Sequence, residues 1–333
     1  MMNTRYHNRK QFRSQRFELA LWALALLLAA PAGAQTYPLR PITIIVSTTP
    51  GTGIDTLARA IGQKLIERWN AGVAVENRPG AAGNIASDFV ARASPDGHTL
   101  MMAPTSFLTN TALNRNLTFD PLKSFTPVSL LATGTLALVV SNDTPAQSAK
   151  ELVSLAKSKP GAINYASAGN GSIQHLAFEL FKQEAGFDMV HVPYKSNGPA
   201  YIDLVAGRVS AMITTINTSV PYIQGGKMKL LAVLSEERSP IHASTPTFKE
   251  SGYAGLNVST WNALLGPAGL PPEVVRKLNA EVNAILALVD VRELLANQGL
   301  NPVGGPPSRL GEMLKSEAVR WQRVVTVAGI KPD

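Results

Sequence analysis

Two segments of this 333-residue chain share one plan: an apolar strand, a turn rich in Gly, Ser and Thr, and an amphipathic helix. They lie at 42–65 and 163–181, in different halves of the chain. In both helices the apolar residues recur at i, i+3, i+4 and i+7, which predicts a helix that packs one face on a sheet. The predicted buried faces are Ile54, Leu57, Ala58, Ile61 and Leu65 in the first helix, and Ile173, Leu176, Ala177, Leu180 and Phe181 in the second.

The turns of these segments are candidate anion-binding sites. A turn that leads into a helix directs unpaired backbone N–H groups, and the positive end of the helix dipole, at whatever lies above it. Two such turns predict two surfaces that close on a small anion, which favours a binding protein. The candidate ligand-binding residues are Thr48, Thr49, Gly51, Thr52, Gly53, Thr105, Ser106, Ser167, Ala168, Gly169, Gly171, Ser172, Tyr194, Lys195, Thr215 and Asn217.

The N-terminus has the plan of a secretory signal peptide. Five basic residues precede an apolar run at 19–30, and Ala32 and Ala34 form an A-x-A cleavage site. We therefore expect a signal peptide over 1–34, cleavage after Ala34 and export to the periplasm. The alternative is an uncleaved anchor, but the apolar run is shorter than the roughly 20 residues that span a membrane.

Composition narrows the chemistry. The chain has no Cys, which excludes thiol catalysis, Cys-ligated zinc and iron–sulfur clusters. Its formal charge is +8, and residues 1–34 carry five Lys/Arg and one Glu, so +4 remains on the mature chain. That excess is dispersed, which favours a small acidic ligand over nucleic acid. The His residues lack metal-ligand spacing. We expect no metal, no cofactor and a monomer.

Strands and helices alternate along the chain. We predict further strands at 73–76, 99–102, 136–140, 189–192, 211–214 and 230–233, and helices at 85–93, 146–158, 199–207, 246–251, 273–286, 291–298 and 307–327. Apolar strands separated by helices predict an α/β fold with mostly parallel sheets covered on both faces. If the chain forms two lobes, it crosses between them twice, near 136–141 and 258–266.

The first turn contains a predicted helix cap. Thr52 and Asp55 match a capping box, so Asp55 is interpreted as a structural cap, with ligand contact as the alternative. The Gly51-Thr52-Gly53 sequence lacks the third Gly and the acidic partner of a dinucleotide site. No GK[ST] follows it, so a P-loop is not supported either.

The second turn invites an enzyme hypothesis. Ser172 and His175 would be nucleophile and base, but the sequence is not G-x-S-x-G and no acid follows at a useful spacing. We therefore interpret Ser172 as a helix N-cap whose hydroxyl also faces a ligand. Farther along, Tyr194 could form an aromatic wall. Lys195 is either a counter-charge for the ligand or a solvated loop charge.

Several ordered blocks resemble the periplasmic solute-binding receptors of tripartite tricarboxylate transporters, the Bug or TctC-like family. They lie at 41–55, 76–84, 95–100, 169–177, 191–195 and 328–330, so the likeness extends from about Tyr37 to the C-terminus. The resemblance implies a two-lobed, Venus-flytrap fold of the type II-like periplasmic binding protein kind. The expected lobes are 35–137 plus 256–333, and 138–255. It also implies an organic acid ligand held through backbone N–H groups, hydroxyls and water.

The first turn departs from the family pattern. Where the family usually has Pro-Phe-Ala-Pro-Gly-Gly, this chain has Ser-Thr-Thr-Pro-Gly-Thr at 47–52. Buried hydroxyls need partners, so Thr48, Thr49 and Thr52 predict a ligand with a second polar group: a di- or tricarboxylate of hydroxy- or amino-acid type. The expected partner is a membrane transporter, with a membrane sensor protein as the alternative.

Overall fold

The computed structural model describes residues 37–114 and 116–331, and the predicted signal peptide over 1–34 lies outside these residues. The strands are β1 (Ile42–Val46), β2 (Val73–Asn77), β3 (Thr99–Pro104), β4 (Phe125–Ser141), β5 (Asn164–Ser167), β6 (Val190–Pro193), β7 (Ala211–Thr215), β8 (Met228–Val233), β9 (Ser259–Pro267) and β10 (Leu300–Pro302). The α-helices are α1 (Gly53–Trp69), α2 (Asn84–Ala91), α3 (Ser106–Leu113), α4 (Ala149–Ser158), α5 (Ile173–Ala185), α6 (Asn197–Val205), α7 (Ile216–Gln224), α8 (Pro272–Leu286), α9 (Val289–Asn297) and α10 (Pro307–Ala328).

The strands form one mixed sheet in the order β2-β1-β3-β9-β4-β7-β5-β6, and β8 and β10 also pair with β4. β1 is parallel to β2 and β3, and β5 is parallel to β6 and β7. β4 and β9 are antiparallel to their neighbours. The helix-flanked α/β architecture is as predicted, but the sheet is mixed, because these two strands return the chain between its two parallel groups.

Strand β4 connects the two halves of the sheet. Phe125 to Thr135 pairs with β9, and Leu136 to Ser141 pairs with β7 and β8. We call β1–β3, β9, β10 and 125–135 the first half-sheet, and β5–β8 with 136–141 the second half-sheet. The predicted crossings at 136–141 and 258–266 fall on β4 and β9. The division into lobes at 35–137 plus 256–333 and 138–255 stays a prediction.

The two amphipathic helices pack as their periodicity predicts. All five residues of the predicted α1 face are buried. On α5, four of the five predicted residues are buried and Leu180 is partly buried against the same core. Strand β1 beneath α1 is buried at four of its five residues, as expected for a strand covered on both faces.

Some elements differ from the predictions. Strand β9, the first part of β4, the short β10 and helices α3 and α7 were not predicted. The helix predicted at 246–251 is wrong. Thr247 and Glu250 form reciprocal hydrogen bonds of a capping box, but Gly252, with φ +94°, ends the segment after a single turn.

None of the helices within residues 37–114 and 116–331 combines the length and the apolar character that a membrane crossing needs.

Candidate ligand-binding site

The hydroxyls of the first turn pair with one another. Thr48 Oγ1 lies 2.7 Å from Thr52 Oγ1, and Thr52 Oγ1 donates to the Thr49 carbonyl at 3.2 Å. Gly51, with φ +84°, adopts the left-handed backbone that brings the chain into α1. The argument that these threonines require a second polar group on the ligand therefore does not hold for Thr48 and Thr52.

Asp55 holds the first turn from within α1. It is 2% exposed, and its Oδ2 accepts the Gly51 N–H at 2.9 Å. Burial opposes its ionisation, but hydrogen bonds from Arg59, Gly51 and Asn77 outweigh burial and lower the pKa of Asp55. The expected capping box does not form, since Asp55 accepts the N–H of Gly51, one residue before the N-cap Thr52. Thr52 makes no side-chain cap, because its hydroxyl is bonded to Thr48 and Thr49.

Asn77, at the end of β2, forms hydrogen bonds with the same turn. It was not predicted as a site residue. Its Nδ2 donates to the Thr48 carbonyl at 3.0 Å and to Asp55 Oδ1 at 2.9 Å. Its Oδ1 accepts from Arg59 Nη2 at 2.9 Å. The signal for it was present in the sequence, since Asn77 lies in the 76–84 block and follows a predicted strand parallel to β1.

At the end of β3, Thr105 bonds to the crossing strand β9. Its hydroxyl accepts the Trp261 N–H at 2.6 Å and donates to the Trp261 carbonyl at 3.1 Å, and the residue is 5% exposed. Ser106 begins α3 and is exposed. The Thr105 hydroxyl therefore ties β3 to β9, and only Ser106 of this pair presents a side chain to solvent.

The second turn is organised around Ser167. Its hydroxyl donates to the Gly169 carbonyl at 3.0 Å, accepts the Gly169 N–H at 3.2 Å and lies 2.7 Å from His191 Nε2. Gly169 has φ +122°, and a Cβ on it would lie 3.1 Å from the Tyr194 carbonyl. Ala168, between them, is partly exposed. The turn after β5 is thus bonded to β6 on its inner side.

Gly171, Ser172 and His175 form the start of α5. The Ser172 hydroxyl accepts the His175 N–H at 3.2 Å, so it is an N-cap. The Gly171 N–H donates to His175 Nδ1 at 3.1 Å, and the His175 ring stacks on His191 with centroids 3.8 Å apart. Gly171 has φ +70°, and a Cβ there would overlap the Leu113 side chain. These contacts explain the glycine structurally, and its role toward a ligand stays a prediction.

Tyr194 and Lys195 follow β6. The Tyr194 hydroxyl donates to Asp203 Oδ2 at 2.6 Å, and burial together with this bond raises the pKa of Tyr194 to about 12. The hydroxyl therefore points to α6, and only the ring is left to form the predicted wall. Lys195 is exposed, and its two predicted roles both stay open.

The end of β7 meets the start of α1 through one turn. Thr215 Oγ1 lies 2.8 Å from Thr218 Oγ1. The Thr218 hydroxyl is also hydrogen-bonded to the Tyr201 hydroxyl. Asn217 packs so closely on Gly299 that a Cβ on Gly299 would overlap it. The neighbouring Gln298 lies against Gly53, with Oε1 3.0 Å from where a Cβ would stand.

The candidate residues form two groups at strand ends. The carboxyl ends of β1, β2 and β3 share an edge, as do those of β5, β6 and β7, because each group is parallel. Direct contacts join the groups at two places: Leu113 against Gly171, and the turn at 298–299 between Gly53 and Asn217. Within the described part of the chain no cluster of three His, Asp or Glu could hold a metal ion.

Comparison with known proteins finds a family model and solved structures that match most of the chain. Residues 57–330 match the model of the tripartite tricarboxylate transporter family receptor. The solved structure of Rpa4515 from R. palustris with adipate is 34% identical, with a TM-score of 0.73, and the match covers 90% of this chain and all of that one.

Two further solved structures extend the comparison. MatC from Rhodopseudomonas palustris with bound malate is 33% identical, has a TM-score of 0.70, and the match covers 87% of this chain and all of that one. The periplasmic binding protein BugD is 31% identical, with a TM-score of 0.70, and the match covers 89% of this chain and all of that one. The predicted fold class, a periplasmic binding protein of α/β type, is confirmed.

Proposed function

We propose that this chain, which belongs to the tripartite tricarboxylate transporter receptor family, captures a small organic carboxylate between its two half-sheets. It then delivers the ligand to a membrane transporter of the tripartite tricarboxylate type. Receptors of this family are solute-binding proteins of the periplasm. Export of this chain by the segment 1–34, with cleavage after Ala34, is part of the proposal.

One observation carries the proposal. The start of α1, after β1, and the start of α7, after β7, flank the same turn at Gln298 and Gly299. A helix start offers backbone N–H groups without intrahelical partners and a positive dipole end. Two such starts beside one turn provide an anion-binding place made from both half-sheets.

The relatives support the chemical class of the ligand. Adipate and malate, in the structures of Rpa4515 and MatC, are both dicarboxylates. A carboxylate suits a site of backbone N–H groups and hydroxyls, because each N–H donates to a charged acceptor without needing an arginine. Water between the ligand and these groups does not make such a site weak.

The geometry gives no support to a serine hydrolase that uses Ser172 and His175. The Ser172 hydroxyl accepts the His175 backbone N–H, and His175 Nδ1 accepts the Gly171 N–H. Both side chains thus bond to the backbone of the turn, whereas a nucleophile–base pair requires the imidazole to accept from the hydroxyl. Ligand capture without chemistry is therefore the proposed activity.

A ligand screen tests the proposal. The mature chain from residue 35 is melted with di- and tricarboxylates, with monocarboxylates and with neutral sugars, each at the same ionic strength. A ligand at about 100 times its Kd stabilises the folded state by roughly 2.7 kcal/mol, which raises Tm measurably. We expect a shift with one or a few carboxylates. The absence of a shift with every carboxylate, verified by calorimetric titration, would contradict the proposal.

A further inference from the structure

The side-chain amide of Gln298 is a buried acceptor without a partner. Gln298 is the C-cap residue of α9, and its Oε1 is buried and accepts no hydrogen bond from the residues that the structure describes. An unpaired buried acceptor is unfavourable and calls for an explanation, such as strain, a functional role or an ordered water. The surroundings of Gln298 favour a functional role.

The carboxamide of Gln298 lies on the first residue of α1. Its Oε1 is 3.0 Å and its Cδ 3.5 Å from where a Cβ on Gly53 would stand. Gly53 is helical and does not have a positive φ, so its backbone does not require glycine, and glycine disfavours a helix relative to alanine. A Cβ here would require the Gln298 carboxamide to shift by a few tenths of an ångström.

The start of α1 favours one orientation of the Gln298 carboxamide. The N-terminus of α1 carries the positive end of the helix dipole. An amide oxygen is favoured there over an amide NH2 group, since the oxygen carries the partial negative charge. The group that Gln298 presents beside the first turn is therefore a hydrogen-bond acceptor.

The location of Gln298 places this acceptor beside both sets of candidate residues. Gly53 belongs to the first turn, and Asn217, at the start of α7, packs on the adjacent Gly299. The hydroxyls of Thr48 and Thr52 are paired with each other. Gln298 Oε1 is thus a polar atom at this place that makes no hydrogen bond with the described residues.

We infer that Gln298 is a specificity-determining residue, whose carboxamide oxygen accepts a hydrogen bond from a hydroxyl or ammonium group of the bound carboxylate. The inference rests on the proposed function and names its ligand class as hydroxy- or amino-substituted di- and tricarboxylates. Gln298 is only partly buried, and the terminal torsion of glutamine is broad. A change in that torsion exposes the oxygen to the ligand while the carboxamide stays beside the start of α1.

Matched ligand pairs test the role of Gln298. Calorimetric titration of the mature chain compares malate with succinate, 2-hydroxyadipate with adipate, and citrate with tricarballylate, where each pair differs by one hydroxyl. We expect the hydroxylated member of the bound pair to have a Kd at least five times lower. In Gln298→Met, which keeps the side-chain length and lacks the acceptor, this ratio should fall to about one.

Two further variants make the test specific. Gln63→Met removes an exposed glutamine of α1 whose amide bonds to Glu67, and the ratio should stay as in the parent. Gly53→Ala places a methyl group against the Gln298 carboxamide and should lower the ratio without lowering Tm. If circular dichroism shows that Gln298→Met does not fold, Gly53→Ala alone tests the role of Gln298.

The outcomes separate this inference from the proposed function. A ratio near one in the parent, or an unchanged ratio in Gln298→Met and Gly53→Ala, overturns the role of Gln298. If the parent binds only carboxylates without a hydroxyl or amino group, the proposed function stands and the inference falls. If the parent binds no carboxylate at all, both fall.

Discussion

Several side chains at the candidate site form hydrogen bonds with backbone atoms of the two turns. Asp55 accepts the Gly51 N–H, Asn77 donates to the Thr48 carbonyl, and His175 accepts the Gly171 N–H. These side chains set the shape of the turns. Gly171 shows the same structural constraint: because its Cβ position overlaps Leu113, Gly171→Val would disturb packing between the half-sheets as well as any ligand contact.

The charge of Asp55 should make the stability of the protein depend on pH. Folding lowers the pKa of Asp55, so the carboxylate stabilises the folded state above its ordinary pKa, about 3.9, and that contribution is lost as pH falls through the lower folded value. Asp55→Asn should therefore cost about 2 kcal/mol at pH 7, from hydrogen bonds to a charged group. The deficit should shrink progressively below pH 4.

Urea unfolding of parent and variant at pH 7, 4 and 3 measures this effect. Asp188→Asn is the control, because that carboxylate is 76% exposed beside Lys182, and its effect should be within about 0.5 kcal/mol. A deficit for Asp55→Asn that is the same at pH 7 and pH 3 would show that the charge of Asp55 is not what stabilises the first turn.

Helix starts are the elements that combine stability with the proposed binding. The N-caps of α4 and α5 have the same chemistry: the Ser148 hydroxyl accepts the Glu151 N–H, and the Ser172 hydroxyl accepts the His175 N–H, both at 3.2 Å. α5 begins at the second candidate turn, whereas α4 begins outside the candidate site. Comparing Ser148 with Ser172 therefore distinguishes the effect of helix capping from the effect of ligand contact.

Replacing each cap by alanine should reveal the difference. Ser148→Ala and Ser172→Ala should each destabilise the protein by about 1 kcal/mol, the usual value of a serine cap. Only Ser172→Ala should weaken ligand binding, by roughly five- to tenfold for one lost hydrogen bond. The measurements are urea unfolding and calorimetric titration with the best ligand of the screen. Equal affinity in the two variants would remove Ser172 from the site.

At the scale of the whole molecule, two adjacent strands join the half-sheets. β4 changes pairing partners between Thr135 and Leu136, and Thr135 pairs with Ser259 at the start of β9. Trp261, on β9, is bonded through its backbone to Thr105 and through its indole to the buried Glu317 of α10. A rotation of one half-sheet against the other would therefore concentrate in a few residues around 135–141 and 258–261.

Closure on a ligand should make the protein more compact. Small-angle scattering of the mature chain, with and without a saturating ligand from the screen, should give a smaller radius of gyration in the bound state. A carboxylate that causes no melting shift is the control and should leave the radius unchanged. An identical radius in the free and the saturated protein would contradict closure about β4 and β9.

The sequence by itself determined the features that depend on the pattern of residues close together in the chain. The period of apolar residues in 54–65 and 173–181 identified α1 and α5 and their buried faces, because one face of a helix must meet the core whatever the rest of the chain does. The ordered blocks from 41–55 to 328–330 likewise identified the receptor family, which the family match confirms.

Only the tertiary structure decided how these pieces meet. Strand β9 and the first part of β4 become strands because each pairs with the other over 125–135, and such pairing leaves no period in either segment alone. The pairing of Thr48 with Thr52 and the orphan acceptor of Gln298 beside Gly53, 245 positions away in the chain, are equally invisible to local pattern. A hydrogen-bond partner is fixed by distance in space, and the fold sets that distance for residues far apart in sequence.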